Sequence, residues 1–242
     1  MHRFLAEKIE GGIALLPPEE ARHALKVLRL KPGDAVAVSD GQGASWTGRI
    51  ERLDAQQATI RLAGELEGGE SPVAITLYQG LPKADKLELI AQKATELGVH
   101  RLVPVVMARS VARADAREAE RKAERLRRIA LEACKQCGRS RVPEIAPAIG
   151  FAEALNDMAR RDLMLMPWEE ARGARMADAF ARRPDARDLG LLIGPEGGIE
   201  RTEAERVLGF GGMAITLGPR ILRCETAAIA CAALLQQLWG DI

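Results

Sequence analysis

Leu191-Leu192-Ile193-Gly194-Pro195-Glu196-Gly197-Gly198-Ile199 is the stretch on which the fold turns. An apolar run enters a loop of three glycines and a proline. Such a run, bounded by turn residues, reads as a strand buried on both faces, and strands of that kind belong to parallel sheets. Beyond it, Thr202 with Glu205 three residues on reads as the N-cap and capping-box partner of a helix. Strand, glycine-rich turn and helix make one unit of an α/β sheet, whose ligands bind outside the carboxyl ends of the strands. Glycines there let a ligand approach the backbone closely, and the competing reading is a tight turn with no ligand. The loop is neither a G-x-G-x-x-G fingerprint nor a Gly-Lys-Ser/Thr phosphate loop. It suits a ligand without phosphates, held by backbone amides and carbonyls.

The same alternation extends outward. Residues 73–78, 102–107, 163–166, 189–193 and 214–217 read as strands, and residues 83–97, 114–137, 202–208 and 225–238 as helices. After the strand ending at Leu217 comes Gly218-Pro219-Arg220-Ile221-Leu222-Arg223-Cys224-Glu225-Thr226-Ala227. Glu225 in a first helical turn complements the helix dipole, worth about 0.3–1 kcal/mol. Arg223 has the wrong sign for that position and calls for an anion or a polarised oxygen. Residues 227–235 are apolar on every side, so this helix should be buried in the core or at a subunit interface. Gln79-Gly80-Leu81-Pro82-Lys83 ends another strand, and Lys83, Lys86 and Lys93 beyond it are either RNA phosphate contacts or a solvated helix face. Residues 1–70 differ in kind. Short strands at 35–39, 46–50 and 58–62, one helix at 18–28 and close turns suggest a small barrel. Residues 65–72, acidic and bearing Gly and Pro, form the linker candidate.

The 242 residues suffice for one large domain or two small ones, and 47% hydrophobic with 29% charged residues is the balance of a soluble globular chain. Only 3% are aromatic, which argues against a surface stacking every base on an aromatic platform. A net charge of +1 excludes a basic coat but not a basic patch. Residues 1–71 hold 9 basic and 11 acidic side chains, residues 101–147 hold 12 and 6, so positive charge gathers mid-chain. There Arg128, Glu132 and Gln136 share one helix face near Arg139, as a groove lining, a dimer contact or solvated surface. Cys134 and Cys137 have no second pair of matching spacing, and His2, His23 and His100 form no cluster, so no metal is expected. The start lacks an apolar leader, and no apolar run is long enough to span a membrane. A reducing cytoplasm is the expected compartment.

Several motifs now point together. His23-Ala24-Leu25-Lys26-Val27-Leu28-Arg29-Leu30-Lys31-Pro32-Gly33-Asp34, Gln79 to Lys83 with Gln92-Lys93-Ala94-Thr95-Glu96-Leu97-Gly98-Val99, Arg109-Ser110-Val111, the stretch 128–145, and the two loops 192–198 and 217–227 follow in order along nearly the whole chain. In this the chain resembles the RsmE-like 16S ribosomal RNA methyltransferases of the SPOUT class, which methylate N3 of a uridine. The last two motifs are specific at this spacing. Cys224 departs from the pattern, where a small polar residue is expected.

The resemblance implies an α/β SPOUT-type domain with a C-terminal trefoil knot over residues 73–242, preceded by a small PUA-like β-barrel RNA-binding domain over residues 1–70. It implies a homodimer, with 16S ribosomal RNA of the small subunit as partner and no metal or membrane. S-adenosyl-L-methionine would lie among three loops, on Met166, Pro167, Leu192, Ile193, Gly194, Gly198, Leu217, Gly218, Ile221, Leu222, Arg223, Thr226 and Ala227. RNA would meet Arg22, Lys26, Arg29, Lys31, Lys83, Arg109, Arg128 and Arg139. Methyl transfer is an in-line displacement in which positioning supplies much of the rate. Uracil N3 must lose a proton, so Glu196 is the first candidate base and Arg223 the first candidate to stabilise charge on the uracil oxygens. Competing readings are a SPOUT enzyme acting on another RNA, a non-catalytic RNA-binding assembly factor, and a nucleotide-dependent oxidoreductase; the missing dinucleotide fingerprint speaks against the last.

Overall fold

The structure, a computed structural model, describes residues 1–67, 69–83, 85–110 and 116–242. Residues 114–115 of the long expected helix and Val111 of the Arg109-Ser110-Val111 motif lie outside them. The chain forms two units, Met1–Glu70 with Leu131–Val142, and Ser71–Ala130 with Pro143–Ile242. A division at 70 and 73 alone leaves residues 131–142 with the second part. The structure groups them with the first, and the reason is local. Glu70 accepts hydrogen bonds from the amides of Ser140 at 2.9 Å and Arg141 at 2.8 Å and from Arg139 Nη2 at 2.9 Å, while Arg3 donates to the Gly138 carbonyl at 3.0 Å.

In the first unit β1 (Arg3–Leu5), β2 (Lys8–Glu10), β3 (Ile13–Leu16), β4 (Ala35–Ser39), β5 (Ser45–Leu53) and β6 (Ala58–Leu66) form one sheet in the order β1-β4-β5-β6-β3-β2. Its two edge strands are consecutive in the chain. The Ala6 amide bonds the Ser39 carbonyl and the Glu7 amide bonds that of Leu15, each at 2.9 Å. The chain itself therefore draws the edges together, and the sheet curls around Phe4, Leu16, Val36, Val38, Ile50 and Ile60. Where one helix was expected over 18–28, α1 (Pro18–Arg22) passes into a π-helical turn, His23–Val27. The Leu28 amide bonds the His23 carbonyl at 3.0 Å, and Arg29 follows with φ 55°. The wider turn keeps Ala21 and Ala24 fully buried.

The second unit is built on β7 (Ala74–Gly80), α2 (Lys86–Glu96), β8 (Arg101–Val106), the part of α3 (Ala116–Cys137) that precedes residue 131, β9 (Glu144–Ile145), β10 (Ile149–Gly150), α4 (Phe151–Met158), β11 (Leu163–Pro167), α5 (Met176–Arg182), β12 (Asp188–Ile193), α6 (Arg201–Gly209), β13 (Met213–Ile215) and α7 (Cys224–Trp239). All strand pairs are parallel, in the order β10-β8-β7-β12-β11-β13, with β9 beside β8. Successive side chains of a strand face opposite ways. Thus Ile75, Leu77, Leu191 and Ile193 meet α2, α3, α5 and α7 on one face, and Tyr78, Met164, Met166 and Leu192 meet α4 and α6 on the other. The long apolar helix α7 buries Cys224, Ala227, Ala228, Cys231, Ala232, Leu235, Gln236 and Trp239. It follows the edge strand β13 yet packs beside α2 and the central strands, so the chain returns from the edge of the sheet to its middle. Among the described residues no helix is long and apolar enough to cross a membrane.

Candidate functional site

Beyond the carboxyl ends of β11, β12 and β13, three loops enclose two adjoining cavities. One, of about 550 Å³, is lined by Ile193 to Ile199, Ile221 to Cys224, Ala227, Pro167, Glu169 and Lys86. The other, of about 440 Å³, is lined by Pro167, Trp168, Glu169, Arg172 and residues 216–222 with Ala227. Pro167, Glu169, Ile221, Leu222 and Ala227 belong to both.

The loop after β12 is held from several directions. Gln79, fully buried at the end of β7, donates to the carbonyls of Gly80 at 3.0 Å and Gly194 at 3.4 Å, and its Oε1 has no partner among the described residues. A Cβ on Gly80 would fall 2.6 Å from Pro195 Cδ and 2.7 Å from its backbone nitrogen, so only glycine lets the two loops pack this closely. Arg109 donates to the Gly197 carbonyl at 2.9 Å. The helix that follows starts earlier than expected. Glu200 is its N-cap and Glu203 completes the capping box, in place of Thr202 and Glu205. Buried Glu203 also accepts from the Ala108 amide at 2.9 Å, which ties the loop after β8 to α6.

Glu196 accepts the Lys83 amide at 3.0 and 3.2 Å, and Lys86 Nζ lies 3.0 Å from Glu196 and 3.4 Å from Glu225. Burial pushes the Glu196 carboxyl up, but the Lys86 ammonium and the amides of Glu196 and Lys83 outweigh it and hold it below its usual value. Glu225 is held down by its own amide first, then by Cys224 and Lys86. The Cys224 thiol donates to Glu225 at 3.3 Å, and burial with that hydrogen bond pushes it up to about 11. The departure at Cys224 thus supplies one donor, as a small polar residue would. Arg223, the N-cap of α7, is exposed on the cavity wall and makes no side-chain hydrogen bond or ion pair among the described residues.

Of the residues named for the cofactor, Pro167, Ile193, Gly194, Gly198, Leu217, Gly218, Ile221, Leu222, Arg223 and Ala227 line these cavities. Met166 and Leu192 do not: strand alternation turns both into the core under α4 and α6. Thr226 is exposed outside both cavities. Sequence reading did not name Trp168, Glu169 and Arg172, although their place directly after the Met166-Pro167 strand end was the available signal. Of the residues named for RNA, Arg22, Lys26, Arg29, Lys31, Lys83, Arg109 and Arg128 are exposed. Arg139 is a correction. It is 6% exposed and bound to Glu70, so its guanidinium is not on the surface. Lys86 and Lys93 pair with carboxylates instead of standing free. No group of three metal-ligating side chains occurs among the described residues.

An RNA methyltransferase domain matches residues 69–236 and an RNA methyltransferase PUA domain matches residues 16–63. The chain belongs to the RNA methyltransferase family whose members include the ribosomal RNA small subunit methyltransferases E. A Bacillus subtilis relative of that name is 34% identical over 100% of both chains, and one from Mycobacterium bovis is 30% identical over 95% of this chain and 89% of its own. The crystal structure of a ribosomal RNA small subunit methyltransferase E from Neisseria gonorrhoeae bound to S-adenosyl methionine aligns with a TM-score of 0.89 at 34% identity, covering 100% of this chain and 99% of that one.

Proposed function

We propose that this chain transfers a methyl group from S-adenosylmethionine to N3 of a uridine in the 16S RNA of the small ribosomal subunit. The observation that carries the reading is the pair of cavities framed by three strand-to-helix loops, with the unpartnered Arg223 on the wall. The residues fit a phosphate-free nucleoside cofactor. The walls combine glycine backbone and aliphatic side chains with a few charged groups, the volumes lie in the range of about 300–1,000 Å³ usual for small-molecule sites, and the buried Trp168 Nε1 beside the second cavity has no acceptor among the described residues. Pro167, Ile193, Gly194, Gly198, Leu217, Gly218, Leu222 and Ala227 would hold the cofactor, which supplies an electrophilic methyl carbon on a sulfonium. The loops orient the incoming uracil, and the Arg223 guanidinium meets negative charge on the uracil oxygens as the N3 proton passes to solvent water. Glu196 and Glu169 are the carboxylates on the wall, and the lowered pKa of Glu196 makes it a weak proton acceptor and a good anchor.

Residues 73–242 are read as the SPOUT domain. The return of the chain from β13 to the centre of the sheet fits a trefoil knot at its carboxyl end. Ile221, 89% exposed beside the cavities, fits a site completed by a second copy in a homodimer. Residues 1–70, joined by 131–142, are read as the RNA-binding domain, with Arg22, Lys26, Arg29 and Lys31 as phosphate contacts; the cytoplasm is the expected compartment. A Lys26→Ala/Arg29→Ala variant should lower RNA affinity and reduce the salt slope by about 0.7 per lost single-strand phosphate contact. An unchanged affinity and slope refute those contacts.

The deciding experiment is methyl transfer from labelled S-adenosylmethionine to small ribosomal subunits lacking the modification and to the RNA stripped from them, with nucleoside analysis of the product. 3-Methyluridine is expected. Cofactor binding without methylation of either substrate moves the target to another RNA, and no cofactor binding leaves a non-catalytic RNA-binding factor.

A further inference from the structure

We infer that Lys86 is a positioning residue that locks the glycine-rich loop and the start of α7 around the cofactor cavity, through Glu196 on one side and Glu225 on the other. The inference rests on the proposed cofactor reading of that cavity. An ammonium at the first position of a helix faces the positive end of the helix dipole and is disfavoured there unless something compensates it. Lys86 occupies that position in α2, and its compensation comes from two other elements. Its Nζ is 3.0 Å from Glu196 in the loop after β12 and 3.4 Å from Glu225 in the first turn of α7.

The three side chains are less than one-third exposed, and Lys86 and Glu196 both line the cavity of about 550 Å³. An isolated surface pair would contribute little. Here one charge bridges three chain segments that are far apart in sequence, and all three contribute residues to the cavity wall. The Lys83 amide adds two bonds to the same Glu196 carboxylate, at 3.0 and 3.2 Å, so the start of α2 and the loop are fastened at two points. Without Lys86, Glu196 would keep the Lys83 amide and Glu225 the Cys224 thiol, but no cation would stand between the two carboxylates, and the loop would lose its ionic tie to α7. Of the three ammonium donors two are used by these carboxylates.

The test is calorimetric titration of S-adenosylmethionine into the full chain, with steady-state methyl transfer on the same samples, for wild type, Lys86→Met, Lys86→Arg, Glu225→Gln and the Lys86→Met/Glu225→Gln double variant. Lys86→Met should weaken cofactor binding by about tenfold, and KM for the cofactor should rise by more than kcat falls, as for a group that shapes the site before the reaction. Lys86→Arg should restore most of the affinity. Glu225→Gln should weaken it less, and the double variant should fall short of the sum because both changes break one link. A purely structural lysine would instead lower thermal stability with cofactor affinity of the folded protein unchanged. The inference is overturned if Lys86→Met binds within twofold of wild type. Should Lys86→Met fail to fold, Glu225→Gln carries the test: unchanged affinity there overturns the inference, and weakened affinity there, with Lys86→Arg close to wild type, supports it. A wild-type chain that binds no cofactor brings down the functional reading first, and is distinguishable from a wild type that binds as tightly as Lys86→Met.

Discussion

At the amino ends of the parallel strands Asp157 accepts hydrogen bonds from Tyr78 at 2.6 Å, Arg101 at 2.7 Å and Arg161 at 3.0 Å. At the carboxyl ends Glu196 accepts from the Lys83 amide and Lys86. The two carboxylates are alike in one respect. Burial pushes each up, and the donors around each outweigh it and hold it below its usual value. They differ in what surrounds them. Arg101 also holds Glu144 at 2.9 Å and Arg161 also holds Asp188 at 3.1 Å, so the Asp157 cluster consumes its charges internally and joins β7, β8, α4 and β12. The Glu196 cluster faces a cavity and has the unpartnered Arg223 beside it. A perturbed pKa alone does not mark a functional site. A cluster left incomplete beside an opening does.

The largest expected effect breaks the open cluster. Arg223→Ala should lower kcat by about 10²–10³-fold, the usual loss when one donor to a developing charge is removed. Cofactor affinity should change far less. Urea unfolding should show a stability change within about 0.5 kcal/mol, since the side chain is exposed. An equal loss of turnover and cofactor affinity would make Arg223 a cofactor-binding residue.

The next effect breaks the closed cluster. Asp157→Ala leaves the Tyr78 hydroxyl and two guanidinium groups short of an acceptor. A loss of about 2–3 kcal/mol is expected, below the value for fully buried pairs because these side chains are about one-fifth exposed. The midpoint of urea unfolding reads it. Cofactor affinity of the folded variant should stay within about twofold, as expected for sites that share no partner. If Asp157→Ala loses the cofactor while keeping its stability, the division between the two ends of the sheet is wrong.

The contrast also explains what was legible in the sequence. The parallel sheet was, because strands such as Asp188–Ile193 are near-continuous apolar runs and the turns after them carry Gly and Pro. The cofactor loops were named through the resemblance, and the glycine-rich turn was visible on its own. Helices α4 and α5, of 8 and 7 residues, and the strands of 3 and 4 residues in β1 to β3 were not read, because so few residues give no clear period. The start of α6 was misplaced because Thr202/Glu205 and Glu200/Glu203 have the same spacing and both satisfy a capping rule. Arg139 and Lys86 were misjudged for a different reason. Their carboxylate partners are 69, 110 and 139 residues away, and a charge pattern along the chain carries no information about such partners.

The smallest effect is a pH dependence that should be absent. A carboxyl whose folded pKa lies below its unfolded value stabilises fully above the unfolded value, and the contribution is lost as pH falls through the folded one. The ordinary values are 3.8 for Asp157 and 4.5 for Glu196, and both are lowered here. The Lys86 ammonium is raised by its bond to Glu196, so it too stays charged throughout the acid and neutral range. The stability difference between wild type and Asp157→Ala should therefore be the same at about pH 5.5 and pH 7, and shrink only below about pH 4. The difference in cofactor affinity between wild type and Glu196→Gln should be flat over the same interval. Taking differences against each variant cancels every group that titrates alike in the two proteins. A slope in the Glu196 difference between pH 5.5 and 7 would mean that its carboxyl titrates near neutrality. The Lys86 pairing would then fail as an account of the open cluster, and Glu196 would return as the proton acceptor for uracil N3.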